Sequence, residues 1–251
     1  MKCYRFGNCN WSVSLRPVKK LSILIPVYNE ARTIGQVVEV IDDLELVGGI
    51  AKEVIVVDDC STDGSDAAIR VALKGRTGMS VVSHLRNKGK GGAIHSGIKS
   101  ATGDYIIIQD ADLELNPHEI NLLLNEVIEN RADVVYGSRF LKGGQKGGSW
   151  MSNRANAFLT WLSNTIFGLK ITDMETCYKL VPSAVFKSLN LKEQRFGFEP
   201  EITAKLAKNK KLRWAEVPVT YKPRTEEQGK KIGWRDGFRA VWCILKYGLG
   251  K

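Results

Sequence analysis

Short apolar segments alternate with amphipathic segments along most of the chain. The apolar segments are rich in Val and Ile and predict buried strands. The amphipathic segments repeat apolar residues at a spacing of three and four, which predicts helices. The predicted strands cover residues 21–27, 53–57, 79–83, 105–108, 132–136 and 212–221. The predicted helices cover residues 33–46, 89–100, 122–128, 151–167, 198–208 and 233–247, with a further helix after the turn 60–65.

Regular alternation of strand and helix predicts an α/β fold with a mostly parallel sheet. The strands are continuously apolar, so helices should cover both faces of the sheet. In such sheets ligands bind beyond the carboxyl ends of the strands. Polar residues follow three predicted strands at that point: Tyr28-Asn-Glu30, Asp58-Asp59 and Asp110-Ala-Asp112. We therefore expect a binding site at this edge.

Three acids follow the predicted strand 105–108, at Asp110, Asp112 and Glu114. Because successive residues of an extended chain alternate faces, these side chains share one side if the extension continues. Converging carboxylates repel one another, and oxygen ligands of this kind suit Mg²⁺ or Mn²⁺ together with substrate phosphates. The alternative is a solvated loop, since Asn116-Pro117 predicts a helix start directly afterwards.

Several other polar positions are candidates for ligand contacts. Asp58-Asp59 could accept hydrogen bonds from a ribose or a base. The run Gly89-Lys-Gly-Gly92 lacks the spacing of a known phosphate loop and favours a plain helix-opening turn. Arg139 and Arg224 are suited to bidentate phosphate contacts. The glycine-rich segment 143–149 is predicted to be a mobile loop near the site, with a simple linker as the alternative.

Composition and charge limit the class of protein. The chain has 251 residues, 43% hydrophobic, with a formal net charge of +10. No apolar run approaches the length of about 20 residues that a membrane span needs. The five cysteines show no metal-ligand spacing, which favours reduced thiols in a cytosolic protein. The basic excess is concentrated after residue 208, which indicates an anionic partner such as a phosphate, a bilayer or a nucleic acid.

The organisation of the chain follows from these patterns. Residues 1–18 form a poorly patterned extension without the apolar core of a secretory signal. Residues 19–232 are predicted to form one catalytic domain, and 233–251 an amphipathic C-terminal helix. Aromatic and basic residues in that helix fit a membrane interface, while a helix docked on the core or on a second copy is the alternative. The sequence leaves open whether the protein is a homo-oligomer.

The motifs together resemble family 2 glycosyltransferases, most closely the dolichyl-phosphate mannose and glucose synthase group. The resemblance rests on four motifs that occur in order: Ile25-Pro-Val-Tyr-Asn-Glu30, Val56-Val-Asp-Asp-Cys-Ser-Thr-Asp-Gly64, Gly103-Asp-Tyr with Asp110-Ala-Asp112, and Gly137-Ser-Arg139. It covers about residues 20–240 and implies the GT-A fold, with a nucleotide-diphosphate sugar as donor.

The resemblance also implies roles for individual residues. The nucleotide pocket would be lined by Pro26, Tyr28, Glu30, Val57 and Asp59. The divalent metal would be held by Asp110, Asp112 and Glu114, with Ala111 packed beside the donor diphosphate. Phosphate of donor or acceptor would be contacted by Arg139, Arg224 and Lys230. Of these residues, the reaction itself would depend on Asp112, Arg139 and Arg224.

This sequence departs from the mannose synthases at three points. Cys60 replaces the usual Gly, and Glu114 stands where they often have Gln. Their Arg-x-x-Gly-x-Ser-Lys segment is replaced by Arg224-Thr-Glu-Glu-Gln-Gly-Lys-Lys231. These departures leave open both the donor sugar and whether Lys230 or Lys231 contacts phosphate.

The implied reaction is a metal-dependent, inverting transfer of a hexose from a UDP- or GDP-linked sugar to a polyisoprenyl phosphate. The enzyme would be cytoplasmic and peripheral at the inner membrane face. An acceptor phosphate is already ionised near neutral pH, so it needs no strong general base. If the acceptor were a hydroxyl of a saccharide or protein, a soluble enzyme would need a carboxylate base. The candidates for that base are Asp173, Glu175 and Glu199.

A nucleic-acid-binding protein is the third alternative. Trp214, Tyr221 and Trp234 lie among the C-terminal cations, as stacking residues do in single-strand binders. This alternative leaves the three acidic strand ends unexplained, so we expect no nucleic-acid partner.

Overall fold

The computed structural model describes residues 17–141, 150–223 and 234–249. Seven strands form one sheet: β1 (Lys20–Val27), β2 (Ala51–Asp58), β3 (Met79–Ser83), β4 (Tyr105–Ile108), β5 (Val134–Ser138), β6 (Lys179–Pro182) and β7 (Trp214–Pro218). Eight α-helices lie in these ranges: α1 (Ile34–Asp43), α2 (Ser65–Leu73), α3 (Gly89–Ser100), α4 (Ile120–Ile128), α5 (Trp150–Phe167), α6 (Ser183–Ser188), α7 (Phe198–Lys208) and α8 (Trp234–Leu249). Short 3₁₀ turns cover Val47–Gly49 and Pro117–Glu119.

The strand order in the sheet is β3-β2-β1-β4-β6-β5-β7. Strand β1 pairs in parallel with β2 and β4, and β5 pairs in parallel with β7. Strand β6 runs antiparallel to both of its neighbours, β4 and β5. The carboxyl ends of the parallel strands therefore share one edge, and the segment that precedes β6 reaches the same edge.

Two apolar cores cover the two faces of the sheet. Alternation along β1 places Leu24 in one core and Ile23 and Ile25 in the other. Helices α3, α5, α6, α7 and α8 pack on the first face, and α1, α2 and α4 on the second. None of the described helices is long and apolar enough to span a bilayer.

The structure confirms the predicted α/β alternation and the mostly parallel sheet. Some helices and strands begin or end at residues other than those predicted, because side chains form hydrogen bonds with the backbone there. The predicted strand 212–221 ends earlier, at Pro218, because the N–H of Thr220 donates to the carboxylate of Glu119. The helix predicted from residue 122 begins at Ile120, after a turn in which Asn116 accepts from the N–H of His118.

Parts of the predicted organisation stay predictions. Residues 1–16 and the segment 142–149, which includes the whole predicted mobile loop 143–149, lie outside the described residues. The division into residues 1–18, 19–232 and 233–251 is not tested by the fold. Helix α8 packs against α5 and α7, so one side of it is docked on the body of the protein.

Candidate active site

A cavity of about 400 Å³ opens at the carboxyl ends of β1, β2 and β4. Ligands of open α/β sheets bind at this edge. The side chain of Val57, expected in the nucleotide pocket, is instead 1% exposed and lies in the first core. The cavity brings together nine of the residues predicted for the site: Pro26, Tyr28, Glu30, Asp59, Asp110, Ala111, Asp112, Glu114 and Arg139.

The Asp59 carboxylate fixes the start of helix α3. Its oxygens accept hydrogen bonds from the N–H of Lys88 at 2.8 Å and the N–H of Gly89 at 2.7 Å. His84 Nδ1 lies 2.6 Å from the same carboxylate. Gly89 has a φ of 79°, and a Cβ there would lie 2.6 Å from the carbonyl oxygen of Gln194. Asp59 therefore shapes this wall of the cavity, and glycine is required where the wall turns.

Asp110 forms an ion pair with Lys90, a residue that was not predicted to belong to the site. Lys90 Nζ lies 2.7 Å from Asp110 Oδ1 and 3.0 Å from the Sγ of Cys177. Burial acts to raise the pKa of Asp110, but the charge of Lys90 together with hydrogen bonds from Cys177 and Lys90 holds that pKa below its ordinary value. Asp110 is therefore an ionised carboxylate that already pairs with a cation.

The three acids predicted to bind metal line the same cavity but are not grouped as a ready cage. Asp112 Oδ1 accepts from the N–H of Glu114 at 3.3 Å, and Glu114 Oε2 accepts from the hydroxyl of Tyr221 at 3.1 Å. Within residues 17–141, 150–223 and 234–249, no three acidic, His or Cys side chains could hold a metal ion. Mg²⁺ usually takes one or two carboxylates and completes its shell with substrate phosphates and water. Asp110 and Asp112 fit that smaller ligand set, and the role of Glu114 stays a prediction.

Arg139 is held rigidly at the cavity wall by Asp173. Arg139 Nε and one terminal nitrogen donate to the two Asp173 oxygens at 2.7 and 2.8 Å, and Asn156 also donates to Asp173 at 3.1 Å. The guanidinium lies 5.0 Å from the ring centre of Tyr221. Among the described residues, the hydrogen bonds of this guanidinium go to Asp173 alone. Asp173, one candidate base, is committed to this pair.

A second buried ion pair lies below the cavity. Lys179, which is fully buried, donates to Glu199 and to the carbonyl of Thr176. Glu175 lines the cavity, and its buried Oε1 has no hydrogen-bond partner among the described residues. Burial, reinforced by the charge of Glu199, raises the pKa of Glu175 to about 7. Glu199 Oε1 also has no hydrogen-bond partner among the described residues, but of the three candidate bases only Glu175 lines the cavity.

Several residues that line the cavity were not predicted from the sequence, and some predicted residues lie outside the described ranges. Arg195 and Phe196 line the cavity from the loop before α7, a segment without a recognisable motif. Pro223 also lines it, and Arg224, Lys230 and Lys231 lie outside the described residues. Their predicted phosphate contacts stay predictions.

The fold and the site together define a glycosyltransferase of the GT-A fold. Solved structures with this fold include glucosyl-3-phosphoglycerate synthase from Mycobacterium tuberculosis, in complex with Mn²⁺, UDP and glucosyl-3-phosphoglycerate. It is 20% identical with a TM-score of 0.65, over 92% of this chain and 80% of that one. Mannosyl-3-phosphoglycerate synthase from Rubrobacter xylanophilus is 18% identical with a TM-score of 0.69, over 92% of this chain and 72% of that one. These likenesses establish the fold.

The chain belongs to Glycosyl transferase family 2, whose model matches residues 22–189. It is 27% identical to dodecaprenyl-phosphate galacturonate synthase of Rhizobium johnstonii, over 90% of this chain and 65% of that protein. It is 30% identical to undecaprenyl-phosphate 4-deoxy-4-formamido-L-arabinose transferase of Edwardsiella ictaluri, over 86% and 64%. It is 27% identical to undecaprenyl-phosphate mannosyltransferase of Micrococcus luteus, over 90% and 93%. The chain thus spans about two thirds of the length of the first two relatives and nearly all of the third.

Proposed function

We propose that the protein transfers a hexose, with inversion, from a UDP- or GDP-linked sugar to a polyisoprenyl phosphate at the cytoplasmic face of a membrane. The observation that carries this proposal is the cavity that gathers Asp110, Asp112 and Arg139 at one sheet edge. The acceptor class is supported by the three relatives, each of which is named for a polyprenyl-phosphate substrate.

The chain's own residues account for binding and orientation. The exposed ring of Tyr28 at the cavity wall offers a surface for the nucleotide base. Asp110 and Asp112 would hold Mg²⁺ or Mn²⁺, an ion that neutralises charge on a leaving diphosphate when bound. Lys90, which is paired with Asp110 in this structure, would supply a second positive charge beside the leaving diphosphate. Arg139 is fixed by Asp173 and is directed to hold a phosphate.

The acceptor phosphate needs no strong base, because it is ionised near neutral pH. Its oxygen would attack the anomeric carbon as the bond to the nucleotide diphosphate breaks, with inversion at that carbon. Binding groups that meet charge only as it develops contribute most to the rate. We therefore expect the phosphate-binding residues to affect turnover more than any titrating side chain does.

The test is an assay of the purified protein with Mg²⁺ or Mn²⁺, nucleotide sugars and a short polyprenyl phosphate. Asp112→Asn should lower turnover at least about 100-fold, since it removes a charge from the proposed metal site. Asp43→Asn, at an exposed position on α1, is the matched control and should retain full activity. Full turnover by Asp112→Asn, or turnover in excess chelator, would contradict the metal role.

One observation favours a second candidate, transfer to a hydroxyl of a saccharide or protein. Glu175 presents an unpartnered oxygen at the cavity, and its pKa of about 7 suits a general base at neutral pH. Glu175→Gln distinguishes the two. It should retain transfer to a polyprenyl phosphate, whereas a hydroxyl-directed enzyme should lose about 100-fold or more with this variant.

The geometry gives little support to nucleic-acid binding. The ring of Trp214 packs against Tyr136 at 5.2 Å, and the hydroxyl of Tyr221 is bound to Glu114. These two aromatic rings therefore do not form an exposed stacking strip among the cations.

A further inference from the structure

Large apolar side chains that face solvent are concentrated on two helices, α5 and α8. Seven of the thirteen such side chains in the described part of the chain lie on these helices. The described residues have six exposed large aromatic side chains, and five of these belong to the same pair. We call the seven side chains the α5–α8 face: Trp150, Met151, Phe158, Trp161, Phe238, Trp242 and Leu245.

The spacing of these residues puts them on one side of each helix. On α5, positions 150, 154, 158 and 161 follow the three-and-four spacing of one helical face, and on α8 positions 238, 242 and 245 do the same. The opposite sides of both helices are buried in the first core, through Leu159 and Phe167 on α5 and Ile244 on α8. The two helices also pack against each other. The exposed sides therefore point away from the same core.

Basic side chains accompany the exposed rings. The Arg154 guanidinium lies 4.8 Å from the ring centre of Trp150. Arg239 and Lys246 lie 4.4 and 4.2 Å from the ring centre of Trp242. Helices α5 and α8 together contain four Lys or Arg residues, one on α5 and three on α8, and one acid. Aromatic rings with adjacent cations suit the headgroup region of an anionic bilayer.

Helix α8 is fixed to the body of the protein by one buried carboxylate. Glu193 accepts hydrogen bonds from Arg239 at 2.6 Å, from the hydroxyl of Tyr247 at 2.7 Å and from Lys246 at 3.3 Å. Burial acts to raise the pKa of Glu193, but the hydrogen bonds from Arg239, Tyr247 and Lys246 hold it below its ordinary value. The exposed side of α8 is thus presented in a fixed orientation.

Helix α5 connects the exposed face to the proposed phosphate site. Asn156, on the buried side of α5, donates to Asp173, and Asp173 holds Arg139 at the cavity wall. One helix therefore carries apolar rings on its outer side and supports the phosphate-binding arginine on its inner side. A lipid acceptor has the same two parts, an apolar chain in the bilayer and a phosphate at its surface.

We propose that the α5–α8 face lies in the interface of an anionic bilayer and brings the cavity to the phosphate of the membrane-held acceptor. The proposal rests on the proposed function for the acceptor, but membrane binding can be measured without any substrate. An interfacial position, with rings at headgroup depth and cations at the lipid phosphates, requires no helix that crosses the membrane.

The test is cosedimentation with vesicles of phosphatidylcholine alone or of phosphatidylcholine with about a third phosphatidylglycerol, an anionic lipid. We expect binding to the anionic vesicles to be at least about tenfold tighter. The double variants Phe158→Ser/Trp161→Ser and Phe238→Ser/Trp242→Ser should each weaken binding about tenfold or more. Val71→Ser, an exposed apolar position on α2, is the matched control. Thermal melts of all variants check that the fold is retained.

Two results separate this proposal from the proposed function. Turnover of a short, water-soluble polyprenyl phosphate should be unchanged in the double variants, while turnover of acceptor embedded in vesicles should fall with binding. Vesicle binding that the double variants do not weaken would overturn the proposal. The proposal would also be overturned if the wild type were a dimer in the absence of lipid and both double variants were monomers, because a second copy would then cover the face. If the wild type shows no turnover of the water-soluble acceptor, that result would instead count against the proposed function.

Discussion

Replacing Glu175 by Gln should change how the stability of the protein depends on pH. The Glu175 carboxyl is enclosed at the cavity, and its Oε1 has no hydrogen-bond partner among the described residues. Burial raises its pKa from 4.5 to about 7, and the nearby charge of Glu199 adds to this effect. Lys179 acts in the opposite direction but does not cancel it. The folded protein therefore keeps this proton over a range in which the unfolded chain releases it.

The size and the sign follow from proton linkage. Below pH 4.5 both states hold the proton, and this group adds no pH dependence. As the pH rises toward 7, the unfolded state binds fewer protons than the folded state, so the free energy of unfolding falls. A rise in pKa from 4.5 to about 7 corresponds to a loss of about 3 kcal/mol above pH 7. An amide cannot ionise, so Glu175→Gln removes this loss.

The assay is urea unfolding of the metal-free wild type and Glu175→Gln at pH 5 and pH 8. The variant should gain about 2–3 kcal/mol relative to the wild type between the two pH values, because part of the loss has already occurred at pH 5. Glu39→Gln, an exposed position on α1, controls for the exchange of carboxyl for amide. A difference between wild type and Glu175→Gln that stays constant with pH would refute the reasoning.

Two further substitutions test the packing below the cavity. Lys179→Met should lower the free energy of unfolding in urea by about 3–5 kcal/mol, because the buried Glu199 loses its close partner and keeps only Lys90 at 3.9 Å. The double variant with Glu199→Gln should recover most of this loss, and losses that simply add would contradict the pairing. Gly137→Ala should lower stability by about 1–3 kcal/mol, because a Cβ there would lie 2.9 Å from both Tyr178 and Val219. An unchanged melting temperature for Gly137→Ala would show that the strands move apart without cost.

The parts of the site that follow parallel strands were accessible to prediction. Apolar strands that end in Tyr28 to Glu30, Asp58-Asp59 and Asp110 to Asp112 identify their own carboxyl ends, because polarity changes there abruptly. Parallel pairing of β1 with β2 and β4 then brings those ends together without further information. One-dimensional pattern and sheet geometry were therefore sufficient for this half of the cavity.

The other half depends on the direction of one strand. Because β6 is antiparallel, the residues before it, including Asp173 and Glu175, reach the edge where the other strands end. A rule that inspects only the residues after each strand does not place them at this edge, so the sequence named Asp173 and Glu175 only as candidate bases for a hydroxyl acceptor. The buried Lys179 was not predictable as a site residue, since the charge of a cation inside an apolar strand is balanced by Glu199, which is distant in the sequence.

The loop that carries Glu193 has a mechanical consequence for the whole protein. Its backbone lies directly on helix α3, where Gly91 leaves no space for even one methyl group against the carbonyl of Glu193. The N–H of Gly92 also donates to the carbonyl of Gln194 at 3.0 Å. The loop and the helix cannot approach each other further at this point without a steric clash. We therefore expect a tilt of α8 to be transmitted through Glu193 to the first turn of α3, which carries Lys90, so that the surface helix and the cavity wall would move together.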